Sequence, residues 1–391
     1  MRKICIFTGT RAEYGIMSRL FRMIADDSEL QLQIIATNMH LSPEFGLTYK
    51  EIEADGFHID KKVEMLLSSD TANGTVKSMG LATIGFADAL EDLKPDLVVI
   101  LGDRYEMLCA AQACLIYNIP IAHIAGGGIT EGAYDDAIRH CITKMSHLHF
   151  TSTDEHRKRV IQLGEQPNRV FWTGSLGVDN IRNEQIMPLA ELEDSLKFKL
   201  GNKFLLVTFH PTTMENGSAA NQCDALLSAL EEVNNEYQLL FTLPNSDTNG
   251  RIITAKVKEY VAKNPEKAFA ITSLGKKRYY SALKYATAVV GNSSSGLIEA
   301  PIFNIPTLNI GNRQEGRTRC ESVIDVPATL EGIRDGLKKA TSIEYKKIAE
   351  HTSSPYEKLN TLENIFNTIK NYPFEGLIKK RFYDIEQIIK T

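Results

Sequence analysis

The chain has 391 residues, 43% of them hydrophobic and 24% charged, and a net charge of -5 at pH 7 carried by interleaved signs. That suits a soluble globular protein of about two domains and excludes a polyanion-binding arm. No stretch approaches the ~20 apolar residues of a membrane span. No CxxC or HxxxH pair points to zinc, so the six cysteines read as buried reduced thiols. The apolar run of MRKICIFTGT is too short for a signal peptide, and the chain reads as cytoplasmic.

In chain order, KICIFTGT, LQIIATN, DLVVILGD, IPIAHIAGG, LHFTST and VFWTGS predict buried parallel strands, with helices between them such as Gly15–Ala25 and Leu81–Leu93. The pattern restarts near residue 200 with KFLLVTFHP, then YQLLFTLPN, AFAITS, TAVVGNSSS and TLNIGN. The expected fold class is α/β, with two Rossmann-like domains whose parallel sheets face across a central cleft. The N-terminal domain covers residues 1–178, a linker 179–200 and the C-terminal domain 201–370. A C-terminal helix is expected over 371–391, packing back on the N-terminal domain.

Ligands of open parallel sheets bind beyond the carboxyl ends of the strands, and the polar motifs cluster there. FTGTRAEYG lacks GxGxxG and the GK[ST] of a P-loop, so neither NAD nor ATP is indicated. Its Arg11 either reaches an anionic ligand or pairs with Glu13. In LGDRYE, Asp103 and Arg104 supply a proton-transfer group and a phosphate clamp, or else a local ion pair capping the next helix. GNSSSGLIEAP runs from a strand into a helix through two glycines and three serines, a pattern that suits a pyrophosphate at helix N–H groups. The alternative is a serine-rich cap. Glu299, a turn later, is placed to hold a ribose diol. FHP puts His210 at the exit of the second domain's first strand.

Together GTRAEYG, GDR, GG…DD.IRH..TK.SH.H, FHP, PN.D, GNSSSG and GNRQ.GR resemble the hydrolysing UDP-N-acetylglucosamine 2-epimerases of sialic acid biosynthesis. The resemblance runs in order from residue 3 to about residue 330, with a family-like KRFYDI near the end. It implies a GT-B-like architecture with UDP held mainly by the C-terminal domain and the sugar facing the N-terminal one. It also implies conversion of UDP-N-acetylglucosamine and water to UDP and N-acetylmannosamine. Close relatives act instead on a 2,4-diacetamido-trideoxy sugar nucleotide of the legionaminic acid route. The implied course is elimination of UDP to a 2-acetamidoglucal, then hydration. The implied enzyme needs no cofactor, no metal, no nucleic acid and no membrane, and forms a homodimer or homotetramer.

By the same resemblance Asp103 and Asp135 match the acid–base carboxylates, and His210 the catalytic or phosphate-side histidine. Arg11, Arg104, Ser293 and Ser294 match diphosphate contacts, Asn245 and Arg313 other nucleotide-site positions, and Glu299 the ribose carboxylate. HIAGGGITEGAYDD departs from the family, which commonly reads HIEGGE or keeps its final glutamate. This chain has Ala125 and Gly128 there. Either Glu131 serves as the missing acid or the chain is catalytically impaired. A GT-B glycosyltransferase, which would need an acceptor, and a non-catalytic sugar-nucleotide binder are the competing readings.

Overall fold

The computed structural model describes residues 1–385 apart from Asp70, Gly132, 213–218 and 245–249. Asn245 therefore lies outside the described residues. The apolar runs of the first half form β1 (Arg2–Thr8), β2 (Leu30–Thr37), β4 (Leu97–Leu101), β5 (Ile121–Ile124), β6 (Leu148–Thr151) and β7 (Val170–Trp172), with β3 (Lys61–Val63) added at one edge. All pair in parallel, in the order β3-β2-β1-β4-β5-β6-β7. Alternation along β1 explains why the run is apolar throughout. Ile4 and Ile6 enter the core on one face of the sheet, and Cys5 and Phe7 that on the other.

The second half repeats this logic with β8 (Phe204–Thr208), β9 (Gln238–Thr242), β10 (Ala268–Ile271), β11 (Ala288–Gly291), β12 (Thr307–Ile310) and β13 (Val323–Val326). Its parallel order, β10-β9-β8-β11-β12-β13, is the doubly wound order with the switch between β8 and β11. Leu205 and Val207 pack into one core, and Phe204 and Leu206 into the other.

The chain forms two compact units. The first holds Met1–Gly128, Asp135–Asn180 and the segment from Tyr356 onward; the second holds Ile129–Tyr134 and Ile181–Pro355. The expected helix over 371–391 is not formed in the described part of that range. The last helix is Thr361–Asn371, and Pro373 follows its end, where a proline cannot continue a helix. That helix buries Leu362, Ile365, Phe366 and Ile369 in the first unit's core, whereas the sequence division counts it with the second domain. The linker range contains the helix Leu189–Leu196, whose Leu192 and Leu196 join the second unit's core. Five cysteines are buried, but Cys141 is exposed, on the outer side of an amphipathic helix. Among the described residues no helix is long and apolar enough to cross a membrane.

Candidate active site

In the first unit the switch point lies between β1 and β4, whose loops carry Gly9–Arg11 and Asp103–Arg104. Arg11 begins the helix Arg11–Ala25, and its Nε meets Glu51 at 2.7 Å. Glu13 closes a capping box, its Oε2 accepting from the N–H groups of Gly9 at 2.7 Å and Thr10 at 3.1 Å. Burial, and then the neighbouring Glu106 charge, push the Glu13 carboxyl up to about 8, against the pull of Arg104 and the two N–H groups. Arg104 donates from Nε to Glu106 Oε1 at 2.8 Å. It is thus the local ion pair of the alternative reading, although its side chain does not cap the helix Tyr105–Ile116.

Asp103 is held from a different element. Its Oδ2 accepts from Nε of Arg139 at 2.8 Å and also from Nη2. Arg139 is only 2% exposed, on the helix Asp135–Met145, and its Nη1 donates to Gly128 O at 2.8 Å and Asp136 Oδ1 at 3.3 Å. Burial opposes the charge on Arg139, but Asp103, Asp136 and Asp135 outweigh it and raise its pKa. The structure thus brings Asp103 and Asp135 into one group around a buried guanidinium.

The glycine run is tied to that group. Gly127 O accepts from Arg159 Nη1 at 2.7 Å. At φ +82, with a Cβ position 2.4 Å from His156 O, only glycine fits at residue 127. Gly128 is different: the nearest atoms to its Cβ position are His156 Cε1 at 3.5 Å and Nε2 at 3.7 Å, which are ordinary contacts. Buried His123 faces Gly102 O through Nε2 at 2.8 Å and Thr143 Oγ1 through Nδ1 at 3.2 Å. A carbonyl only accepts, so Nε2 carries the proton. Burial depresses the ring's pKa to about 4 and keeps it neutral. Glu131 belongs to the second unit, exposed, with its N–H on Glu315 O at 2.9 Å.

In the second unit the switch point lies between β8 and β11 and carries His210 and Asn292–Ser294. Gly291 takes φ +134, and its Cβ position falls 1.9 Å from Thr208 O, so β11 leaves the sheet pressed against β8. Asn292 Oδ1 accepts from His210 N at 2.7 Å and its Nδ2 donates to His210 O at 2.8 Å. Arg313 Nη1 at 3.1 Å and Gln314 Nε2 at 2.8 Å both donate to Asn292 O.

Ser293 caps the helix Ser294–Ile298, accepting from Ser295 N at 3.4 Å. Tyr279 donates to Ser295 Oγ at 2.7 Å, Ser295 donates to Glu299 Oε2, and Tyr280 donates to Glu299 Oε1 at 3.3 Å. Burial raises the Glu299 pKa against these hydroxyls. Ser293 therefore serves as the cap of the alternative reading. The helix has five residues, so anion binding here rests on individual N–H and hydroxyl groups rather than on a long macrodipole.

Arg139 and Asn292 stand in the motifs read from the sequence but were given no role there, and Glu106 was not singled out. The i, i+3 spacing of Asp136 and Arg139 was a readable signal for the first. Asn292 gains its partner His210, and Glu106 its neighbour Glu13, from a distant strand end, which no local pattern encodes.

A model of the family described as UDP-N-acetylglucosamine 2-epimerase matches residues 22–370. A Campylobacter jejuni protein named GDP/UDP-N,N'-diacetylbacillosamine 2-epimerase (hydrolyzing) is 44% identical over 385 residues, covering 98% of this chain and 99% of its own. The polysialic acid biosynthesis protein P7 of Escherichia coli is 41% identical over 389 residues, covering 99% and 98%. Among solved structures, an S. aureus MnaA–UDP co-structure superposes with a TM-score of 0.78 at 18% identity, covering 98% of this chain and 100% of that one. That likeness shows the fold, GT-B-like with two Rossmann-like domains. With nearly the whole length matched by the family model and by both relatives, this chain belongs to the UDP-N-acetylglucosamine 2-epimerase family.

Proposed function

We propose that the protein converts UDP-N-acetylglucosamine and water to UDP and N-acetylmannosamine, a hydrolytic 2-epimerisation that supplies sialic acid biosynthesis. The observation that carries this reading is the Asp103–Arg139 pair beside Asp135, set at the β1/β4 switch of a chain of this family. The C2 proton of the sugar has no adjacent carbonyl, so direct deprotonation is too costly. Elimination avoids this: a base takes the C2 proton as UDP leaves C1, and water then adds across the double bond of the 2-acetamidoglucal. Asp103 and Asp135 act as the acid–base carboxylates, with His210 as a third catalytic group. Arg139 fixes the orientation of Asp103 and brings a cation close to the carboxylates.

Arg11, Arg104, Ser293 and Ser294 hold the departing diphosphate, and Arg313 contacts the nucleotide. Glu299, oriented by Tyr280 and Ser295, takes the ribose diol. A second reading, the same reaction on a UDP-2,4-diacetamido-trideoxyhexose, is favoured by the substrate in the name of the 44%-identical relative. Incubation with each sugar nucleotide, without any acceptor, decides by NMR of the products. Free UDP with a free manno-configured sugar supports the reaction and identifies the substrate. A UDP-linked epimer, a requirement for an acceptor, or binding without turnover would each overturn it.

A further inference from the structure

β8 ends at Thr208, so the main chain of His210 lies beyond the last rung of the ladder, and Pro211 after it has no N–H to offer. His210 is nonetheless buried, and a buried N–H and C=O without partners would be costly. Both are met by one side chain. The Asn292 amide accepts from His210 N at 2.7 Å and donates to His210 O at 2.8 Å, adding one rung to the ladder from a side chain. Asn292 is 1% exposed and is itself held at three points: its N–H on Thr208 O at 3.1 Å, and its carbonyl under Arg313 Nη1 at 3.1 Å and Gln314 Nε2 at 2.8 Å. The close approach at Gly291 sets this register, because a Cβ there would collide with Thr208 O.

We infer that Asn292 is the positioning residue of His210, fixing where the imidazole stands, and that Gln314 and Arg313 brace it from behind. The start of GNSSSG then serves the histidine, and only its serines remain for the diphosphate. Only asparagine meets the demand. Aspartate would turn two acceptors toward a site needing one donor and one acceptor, leucine would satisfy neither group, and glutamine is a methylene too long.

The inference rests on the reading of His210 as a catalytic group, and the test separates the two. Turnover and UDP affinity are measured for Asn292→Ala, Asn292→Asp, His210→Ala and the double variant Asn292→Ala/His210→Ala. Asn292→Ala is expected to lower kcat about 10- to 100-fold, the scale of a misplaced catalytic group, with UDP affinity within about threefold of wild type. In the His210→Ala background the same change should cost nothing further, because its effect runs through the missing ring. Asn292→Asp should recover activity relative to wild type as pH falls and the introduced carboxyl gains a proton to donate, a response that covers the case in which Asn292→Ala does not fold.

Losses that multiply in the double variant, or an Asn292→Asp profile parallel to wild type, would overturn the inference. Near-normal turnover in His210→Ala would instead remove the catalytic reading of the histidine.

Discussion

Gly127 and Gly128 are neighbours under opposite constraints, one closed to any side chain and the other open. A Cβ at residue 128 would have only side-chain atoms as its nearest neighbours, the His156 ring at 3.5 Å and Arg139 Nε at 3.9 Å, beside the cation that holds Asp103. Gly128→Glu is therefore expected to fold and to raise turnover. If instead Glu131 does the acid's work, Gly128→Glu lowers turnover and Glu131→Gln abolishes it; steady-state rates of the two variants show which holds.

The Glu13 carboxyl titrates at about 8 when folded, against an ordinary value of 4.5. The folded state therefore holds a proton that the unfolded chain has released. Stability falls as pH rises through that window, by at most about 1.4 kcal/mol per pH unit. Glu13→Gln keeps an acceptor for Gly9 and Thr10 but does not titrate, so its Tm should gain on wild type steadily between pH 6 and pH 8.5. Parallel Tm curves would show that Glu13 carries no such proton. That Asp103 and His210 follow strand ends was legible because each comes after an apolar run, but the charge of Glu106 beside Glu13 was not, since β1 and β4 meet only in the folded sheet.

Two edge strands escaped the sequence reading for a shared reason. β3 is KKV and β13 is VIDV, and an edge strand needs little of the continuous apolar run that marks the strands between. Residues 372–385 were misread as helix, and what they do instead depends on individual contacts. Lys380 Nζ donates to Lys144 O at 2.7 Å, Ser146 O at 2.6 Å and Glu165 Oε1 at 2.8 Å, while Leu377 is buried in the first unit's core. Burial alone would raise the pKa of Glu165, but His149, Lys144 and Lys380 hold it down to about 2. Lys380→Ala leaves that carboxylate with one ammonium fewer. It should cost about 1–3 kcal/mol in urea denaturation, the worth of hydrogen bonds to a charged group, with KM unchanged. Equal midpoints for variant and wild type would mean that the segment is only laid on the surface.

At the level of the molecule, the restart of the strand pattern near residue 200 made two parallel sheets legible. What it concealed was ownership: Thr361–Asn371 is amphipathic, and an amphipathic helix does not declare which core its apolar face will join. That polar residues follow the strand ends was legible, but the strand order that makes β1/β4 and β8/β11 the switch points was not. The central claim is that the proton at C2 is exchanged while the C1–O bond to the diphosphate is broken. Turnover in D2O containing ¹⁸O-labelled water, read by NMR and mass spectrometry, tests it directly. The account predicts deuterium at C2 of the released sugar and UDP without label; retention of the C2 proton, or ¹⁸O in the UDP phosphate, would contradict it.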